Sequence, residues 1–207
     1  MAYPTVNAPY GLRPINSVDG KPYAGATRQL PIASNYNTAI FYGDIVAIVD
    51  GGTIAKSGVT TDYTTTAANY TYGVFMGCQY VNGQSQTVQA QYYPGTSVTE
   101  AIAYVVDDPM AAFKVAVVYA NSVVTSVNKS IVGVNMAIDQ GTGDTTTGNS
   151  GFGVLVASDN AGNAATLPVR VVEVVPATAS NATAFTEVVV KLNNPQITRP
   201  TAIDYAA

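Results

Sequence analysis

Short apolar runs separated by turn-forming residues recur along this chain, and their spacing constrains the fold more than any other feature. Turn signals such as Asn82-Gly83 and Pro94-Gly95, which are 12 residues apart, recur at intervals of roughly 8–14 residues, which is typical of β-sandwiches and β-barrels. Apolar and polar residues alternate over 86–93, which indicates a half-buried strand. No segment has an apolar period of 3.6 residues. The sequence therefore predicts an all-β fold of sandwich or barrel-like units with little helix.

The first 36 residues are rich in proline, tyrosine, glycine and asparagine. The prolines recur at intervals that exclude a helix, so an extended N-terminal arm is predicted. A frayed terminus is the alternative, but the aromatic and aliphatic residues between the prolines are unusual for a disordered tail. The predicted organisation is an arm, a first β unit, a second β unit and an extended C-terminal tail, over residues 1–36, 37–95, 96–194 and 195–207.

Composition argues against several classes of function. The chain has no histidine and a single cysteine, which excludes a Ser–His–Asp triad, a Cys–His dyad and His-ligated zinc. Charged residues make up 11% of the chain, against about 25% in a typical soluble domain. The net charge is −4 and no basic run is present, so we expect no nucleic-acid partner. Neither a signal peptide nor an apolar membrane-spanning run is recognisable, so we expect synthesis in the cytoplasm and no membrane contact.

Three features could carry chemistry, and each has a structural interpretation that we favour. Asp107 and Asp108 would point to opposite faces of a strand, so we predict a turn in which Asp108 caps a single helical turn. The loop 139–144 resembles a calcium loop, but Ser150 stands where an EF-hand needs glutamate. Cys78 lies in an apolar strand and is predicted to be a buried structural thiol. We therefore predict no catalytic residue, no metal site and no cofactor, and a protein that is not an enzyme.

Fourteen tyrosines accompany this low charge. Tyrosine suits carbohydrate surfaces and also protein–protein interfaces, because it buries a large area at a small cost in rotamer freedom. With so few charges and no tryptophan, we favour protein–protein interfaces.

Three parts of the chain resemble a known class of protein. They are the N-terminal segments NAPYGLRP, TRQLPIA and FYGDIV (7–14, 27–33, 41–46), the central YVVDDP and FKV (104–109, 113–115), and the C-terminal VVVKLNNPQ (188–196). Together they resemble small virion structural proteins of aquatic tailed phages, of the kind that decorate the capsid.

The resemblance implies a capsid decoration, or cement, protein that binds the outer surface of the expanded head and braces it against DNA pressure. The implied partners are the major capsid protein and further copies of the chain, with a trimer favoured over a dimer. The implied location is the outer capsid surface of the virion. Terminal arms of such proteins often reach across capsid subunits, so the implied contact residues lie in the arm and are Tyr3, Pro4, Tyr10, Leu12 and Arg13.

Two other interpretations remain open at this point. The first is a tail or fibre β-protein involved in host attachment, although the chain has no internal repeat of the kind that trimeric fibres usually show. The second is a glycan-active β-sandwich enzyme, which needs two carboxylates about 5–10 Å apart in a cleft. The thirteen acidic residues contain no recognisable pair of that kind.

Overall fold

The computed structural model describes residues 6–60, 70–119, 122–124, 127–156, 161–162, 166–178, 185–193 and 195–196. The described residues form strands joined by turns, with single 3-10 turns at Asp50–Gly52 and Lys129–Ile131. The all-β prediction is confirmed. The strands are β1 (Arg13–Ser17), β2 (Arg28–Pro31), β3 (Ile45–Val49), β4 (Thr53–Lys56), β5 (Gly73–Asn82), β6 (Thr87–Ala90), β7 (Val98–Val106), β8 (Ala111–Tyr119), β9 (Ser122–Val123), β10 (Asn135–Gly141), β11 (Gly151–Leu155), β12 (Ala161–Gly162), β13 (Val169–Val174) and β14 (Glu187–Leu192).

The strands form two sheets, and the larger one closes on itself. In the larger sheet the order is β8-β11-β10-β13-β14, and β14 pairs with β8 again, so this sheet is barrel-like. Strands β1 and β9 also pair with β8, and β12 pairs with β10. The smaller sheet has the order β2-β7-β5-β3-β4 with β6 on β5, and a bridge between Ile32 and Ile54 links its two ends.

The apolar side chains form two main cores. The core of the larger sheet includes Phe113 and Phe152 and also takes in Ile45 from β3 of the smaller sheet, whereas the core of the smaller sheet includes Phe75 and Tyr93. Strand β8 is buried along most of its length, because alternate residues face the larger core and a third small cluster around Phe185. A strand that is buried on both faces reads as an uninterrupted apolar run rather than an alternation.

The chain passes from the smaller to the larger sheet at a tight turn after β7. The side chain of Asp108 accepts a hydrogen bond from the N–H of Met110 (2.8 Å), and the N–H of Ala111 donates to the Asp108 carbonyl (3.0 Å). The predicted helical turn capped by Asp108 is wrong, because Ala111 pairs with Ser17 and enters β8 at once. The predicted boundary between the two β units, at 95–96, lies within the smaller sheet, since β7 pairs with β5 there.

The described part of the predicted arm contributes one strand to each sheet, and a tight turn follows the first of these strands, where the N–H of Ser17 donates to the carbonyl of Lys21 (2.8 Å). Strand β1 pairs antiparallel with β8, and β2 pairs antiparallel with β7. Of the predicted C-terminal tail, only Pro195 and Gln196 lie in the described residues. The side-chain amide of Gln196 bonds the N–H and carbonyl of Ile48 in β3, at 2.8 and 3.0 Å.

Candidate functional site

Gly11 and Leu12 of the arm lie between the two sheets, against Gly43, Ser150 and Phe152. We call these five residues the arm seat. The Leu12 side chain is fully buried in the core of the larger sheet. The N–H of Leu12 donates to the carbonyl of Gly43 (2.9 Å), and the N–H of Gly11 donates to the carbonyl of Phe152 (3.1 Å). The arm is thus joined by backbone hydrogen bonds to segments of both sheets.

Two glycines make this close approach possible. Gly11 and Gly43 have positive φ angles of 78° and 94°, which L-amino acids with side chains rarely adopt. A Cβ atom at Gly11 would lie 2.6 Å from the Cβ of Ser150, and one at Gly43 would lie 2.9 Å from the backbone nitrogen of Leu12. Both positions therefore require glycine for conformation and for space.

Tyr10 joins the arm to a buried carboxylate of β14. Its hydroxyl donates a hydrogen bond to Oε1 of Glu187, and the Lys114 ammonium lies 3.1 Å from the same oxygen. Glu187 is almost fully buried, so this hydroxyl and this ammonium together compensate a charge that has lost its water. Burial, followed by the bond to Glu187, raises the pKa of Tyr10 well above its usual value.

Arg13 joins the arm to loops of both sheets. Its guanidinium lies 3.9 Å from the ring centroid of Tyr42, just before β3, and donates to Oδ1 of Asn149 (2.6 Å), just before β11. The Gln91 side chain donates to the same Asn149 oxygen (2.8 Å). Burial lowers the pKa of Arg13, and the stacking and hydrogen bond replace part of its lost hydration.

The predicted capsid-contact residues differ in how exposed they are. Leu12 is a core residue of the larger sheet, whereas Tyr10 and Arg13 are partly exposed and make the internal contacts described above. Tyr3 and Pro4 lie outside the described residues. The apolar side chains that the arm exposes to solvent are different residues from these five.

Those exposed apolar side chains are Ile15 and Val18 of the arm and Met110, against which the arm packs; we call the three the arm patch. They are 36%, 39% and 44% exposed. The N–H of Val18 and the hydroxyl of Ser17 both donate to the carbonyl of Met110, at 2.8 and 3.0 Å. Sequence reasoning missed this patch because the β1–β8 register shifts between Pro14 and Asn16, which breaks the simple alternation.

A buried ion pair lies beside the arm seat. Asp44, fully buried just before β3, has its Oδ2 3.1 Å from Nζ of Lys56 and accepts the N–H of Phe41 at the same oxygen (2.9 Å). Its Oδ1 accepts the hydroxyl of Ser150 (2.5 Å). The Lys56 ammonium lies 4.8 Å from the ring centroid of Phe152 and 5.9 Å from that of Phe41. Burial raises the pKa of Asp44, and Lys56 opposes this rise.

The two adjacent carboxylates considered in the sequence do not converge. Asp107 bonds Arg28 and the Tyr72 hydroxyl, whereas Asp108 binds the backbone of its own turn. Burial, with the bond to Asp107, raises the pKa of Tyr72 to about 12. Asp107 therefore forms an ion pair with Arg28, and Asp108 stabilises a turn.

The other two sequence candidates have structural roles. Asp144 accepts the N–H of Thr146 (2.8 Å) and the hydroxyl of Thr147 (2.9 Å), and these bonds lower its pKa. Cys78 is buried, as predicted, and burial raises the pKa of its thiol to about 12. A thiol held protonated in this way is a poor nucleophile.

In the part of the chain that the structure describes, no three His, Cys, Asp or Glu side chains are grouped closely enough to hold a metal ion. None of the helical turns among the described residues is long and apolar enough to cross a membrane. Compared with protein-family models, with curated proteins and with solved structures, the chain gives no match.

Proposed function

We propose that this protein is a capsid decoration, or cement, protein that binds the outer surface of the expanded head of a tailed phage and stabilises it. The proposal starts from the resemblance of three stretches of the chain to virion proteins of aquatic tailed phages. It further holds that the chain acts as a homo-oligomer, a trimer in preference to a dimer, with the major capsid protein as its partner.

The observation that carries the proposal is the way in which this chain uses its few charges. The buried carboxylates of Asp44 and Glu187 and the half-buried carboxylate of Asp107 are engaged internally, in the pairs Asp44–Lys56, Glu187–Lys114 and Asp107–Arg28. With charged residues at 11% of the chain, binding to a partner must depend mainly on apolar contact and hydrogen bonds. Such contacts are weakly screened by salt, which suits a particle that leaves the cell and meets varied ionic conditions.

The stabilising effect follows from mass action. A protein that binds the expanded shell and not its precursor favours the expanded shell by its binding free energy at every occupied site. Because a capsid repeats the same site many times, a modest gain at each site gives a large total.

Within this proposal, the arm patch of Ile15, Val18 and Met110 is the contact surface that the fold offers. Its side chains are apolar and exposed, and two of the three belong to the arm, the region in which the resemblance implies capsid contacts. Leu12 acts indirectly, since its burial fixes the arm against the larger sheet and so positions the patch.

Co-sedimentation tests the proposal. Purified protein is mixed with expanded and with unexpanded heads that were assembled without it, and the pellets are analysed. We expect saturable pelleting with expanded heads alone, at a simple ratio to the major capsid protein. Absence of pelleting with both forms would overturn the proposal and favour a tail or fibre role in host attachment.

Two variants place the contact. Val18→Asp and Met110→Asp introduce a charge into the arm patch, and we expect each to weaken pelleting by at least about tenfold, since desolvating an uncompensated charge costs more than 1.4 kcal/mol. Tyr119→Asp is the matched control, because it introduces the same charge at a side chain that is 55% exposed at the opposite end of β8, about 26 Å from Ala111 at 3.3 Å per residue. Loss of binding in the control alone would refute the assignment of the patch.

A further inference from the structure

The Asp44–Lys56 pair has features that go beyond an ordinary ion pair. Asp44 is fully buried, and the Lys56 side chain is 18% exposed and lies between two phenylalanine rings. Register fixes the pair: Lys56 is opposite Val46 in the β3–β4 hairpin, and Asp44 stands two residues before Val46, on the same face of the sheet. An amine and a carboxyl group are therefore held in contact, in an apolar pocket, by rigid backbone.

We propose that Asp44 and Lys56 condense to an intramolecular isopeptide bond, which covalently closes the β3–β4 hairpin. The reaction joins Nζ of Lys56 to Cγ of Asp44 and releases one water molecule. It uses no oxidant, metal or cofactor, because an ammonium and a carboxylate together contain all the atoms of an amide and a water. The inference rests on the geometry of this pair and is independent of capsid binding.

The Lys56 ammonium passes one proton to Oδ2 of Asp44, which leaves a neutral amine beside a neutral carboxylic acid. The amine lone pair attacks Cγ, and the Cγ–Oδ1 π electrons move to Oδ1. A second proton passes from Nζ to the Oδ2 hydroxyl, the Cγ–Oδ2 bond breaks, and Oδ2 leaves as water while the Cγ–Oδ1 double bond re-forms. The third ammonium proton remains on the amide nitrogen.

Ser150 is the positioning residue of this step. Its oxygen accepts the N–H of Phe152 (2.9 Å), and its hydroxyl donates to Oδ1 of Asp44 (2.5 Å). Negative charge develops on Oδ1 in the tetrahedral intermediate, so a donor already aimed at that oxygen stabilises it. Burial raises the pKa of Asp44 and so favours the neutral carboxylic acid, which is the form that the amine attacks.

The chain contains a second pair that serves as an internal control. Lys114 lies 3.1 Å from Glu187, the same separation as in the Asp44–Lys56 pair. The Lys114 side chain is 37% exposed, twice the figure for Lys56, so its ammonium keeps more of its hydration. If contact distance alone determined the reaction, both pairs would form an isopeptide bond. Our proposal predicts an isopeptide bond at Asp44–Lys56 only.

Mass spectrometry of the purified full-length chain tests the proposal. We expect the denatured protein to be lighter than its sequence by one water molecule. Trypsin cannot cleave after an acylated lysine, so the digest should contain the segment 29–114 as one peptide, lighter by one water and uncut after Lys56. Cyclisation of Asp50 with Gly51 would also remove water, but it would leave Lys56 cleavable and so would count against the proposal.

Variants complete the test. Lys56→Arg keeps the charge but removes the nucleophile, so its mass should equal its sequence and trypsin should cleave after residue 56. Ser150→Ala should accumulate the linked peptide at least about tenfold more slowly, by analogy with the loss of one oxyanion donor. A wild-type chain that keeps its full mass after prolonged incubation in the folded state, with separate peptides 29–56 and 57–114, would overturn the proposal.

Discussion

Truncating Leu12 to alanine tests whether the arm is an integral part of the larger sheet. Leu12 is fully buried in that core, and the arm's backbone bonds to Gly43 and Phe152 flank it. The change removes about three methyl or methylene groups at about 0.8 kcal/mol each, and the cavity left behind adds a further term. We therefore expect a loss of about 3 kcal/mol in the free energy of unfolding.

A chain of this length shows such a loss clearly in a thermal melt. At about 2–4 °C per kcal/mol for a protein of 150–250 residues, the expected decrease in Tm is about 6–12 °C. Urea titration gives the free energy of unfolding independently, and an unchanged slope shows that the unfolded state has not altered.

Val18→Ala is the control for Leu12→Ala, because it shortens an apolar side chain of the same arm that is 39% exposed. Substitutions at such surface positions usually change stability by less than about 0.5 kcal/mol. If Leu12→Ala cost no more than Val18→Ala, the arm would not occupy its seat in solution, and the reasoning that links Leu12 to the position of the arm patch would fail.

Three further predictions follow from the arm and its seat. Gly43→Ala should destabilise the protein by more than Gly20→Ala in urea titrations, since both glycines have positive φ but only a Cβ at Gly43 meets neighbouring backbone; equal losses would contradict the close approach. Tyr10 has a raised pKa, so the folded state holds this proton more tightly than the unfolded state, and stability should fall as pH rises above about 10. Tyr10→Phe should reduce that alkaline slope, and an unchanged slope would show that Tyr10 is not seated against Glu187. In limited proteolysis the arm should be cleaved more slowly on expanded heads than in the free protein; equal rates would contradict a capsid-bound arm.

The fold class could be predicted because it depends on local signals. Turn residues at short intervals and alternation over 86–93 indicated strands, and β6 at Thr87–Ala90 lies in that segment. The burial of Cys78 followed in the same way from its apolar neighbours.

The arm's role could not be predicted, because long-range pairing determines it. Leu12 was predicted to contact the capsid because its segment showed no fold of its own. The pairing of Pro14 with Phe113, far along the chain, instead places Leu12 in the core of the larger sheet. The Ser150–Asp44 bond likewise joins residues 106 positions apart. At Asp108 the local signal fitted a helix cap or a turn equally well, and the pairing of Ala111 with Ser17 decided between them.

The thermal stability of expanded heads, measured with and without added protein, tests the central claim most directly. Heads assembled without the protein are titrated with it, and disruption is followed by release of DNA to an intercalating dye. If the protein is a cement protein, the disruption temperature of the heads should rise as protein is added. Once the binding sites are filled, this temperature should increase with the logarithm of the free protein concentration. A disruption temperature that stays constant up to concentrations at which the protein saturates the heads would contradict a stabilising role.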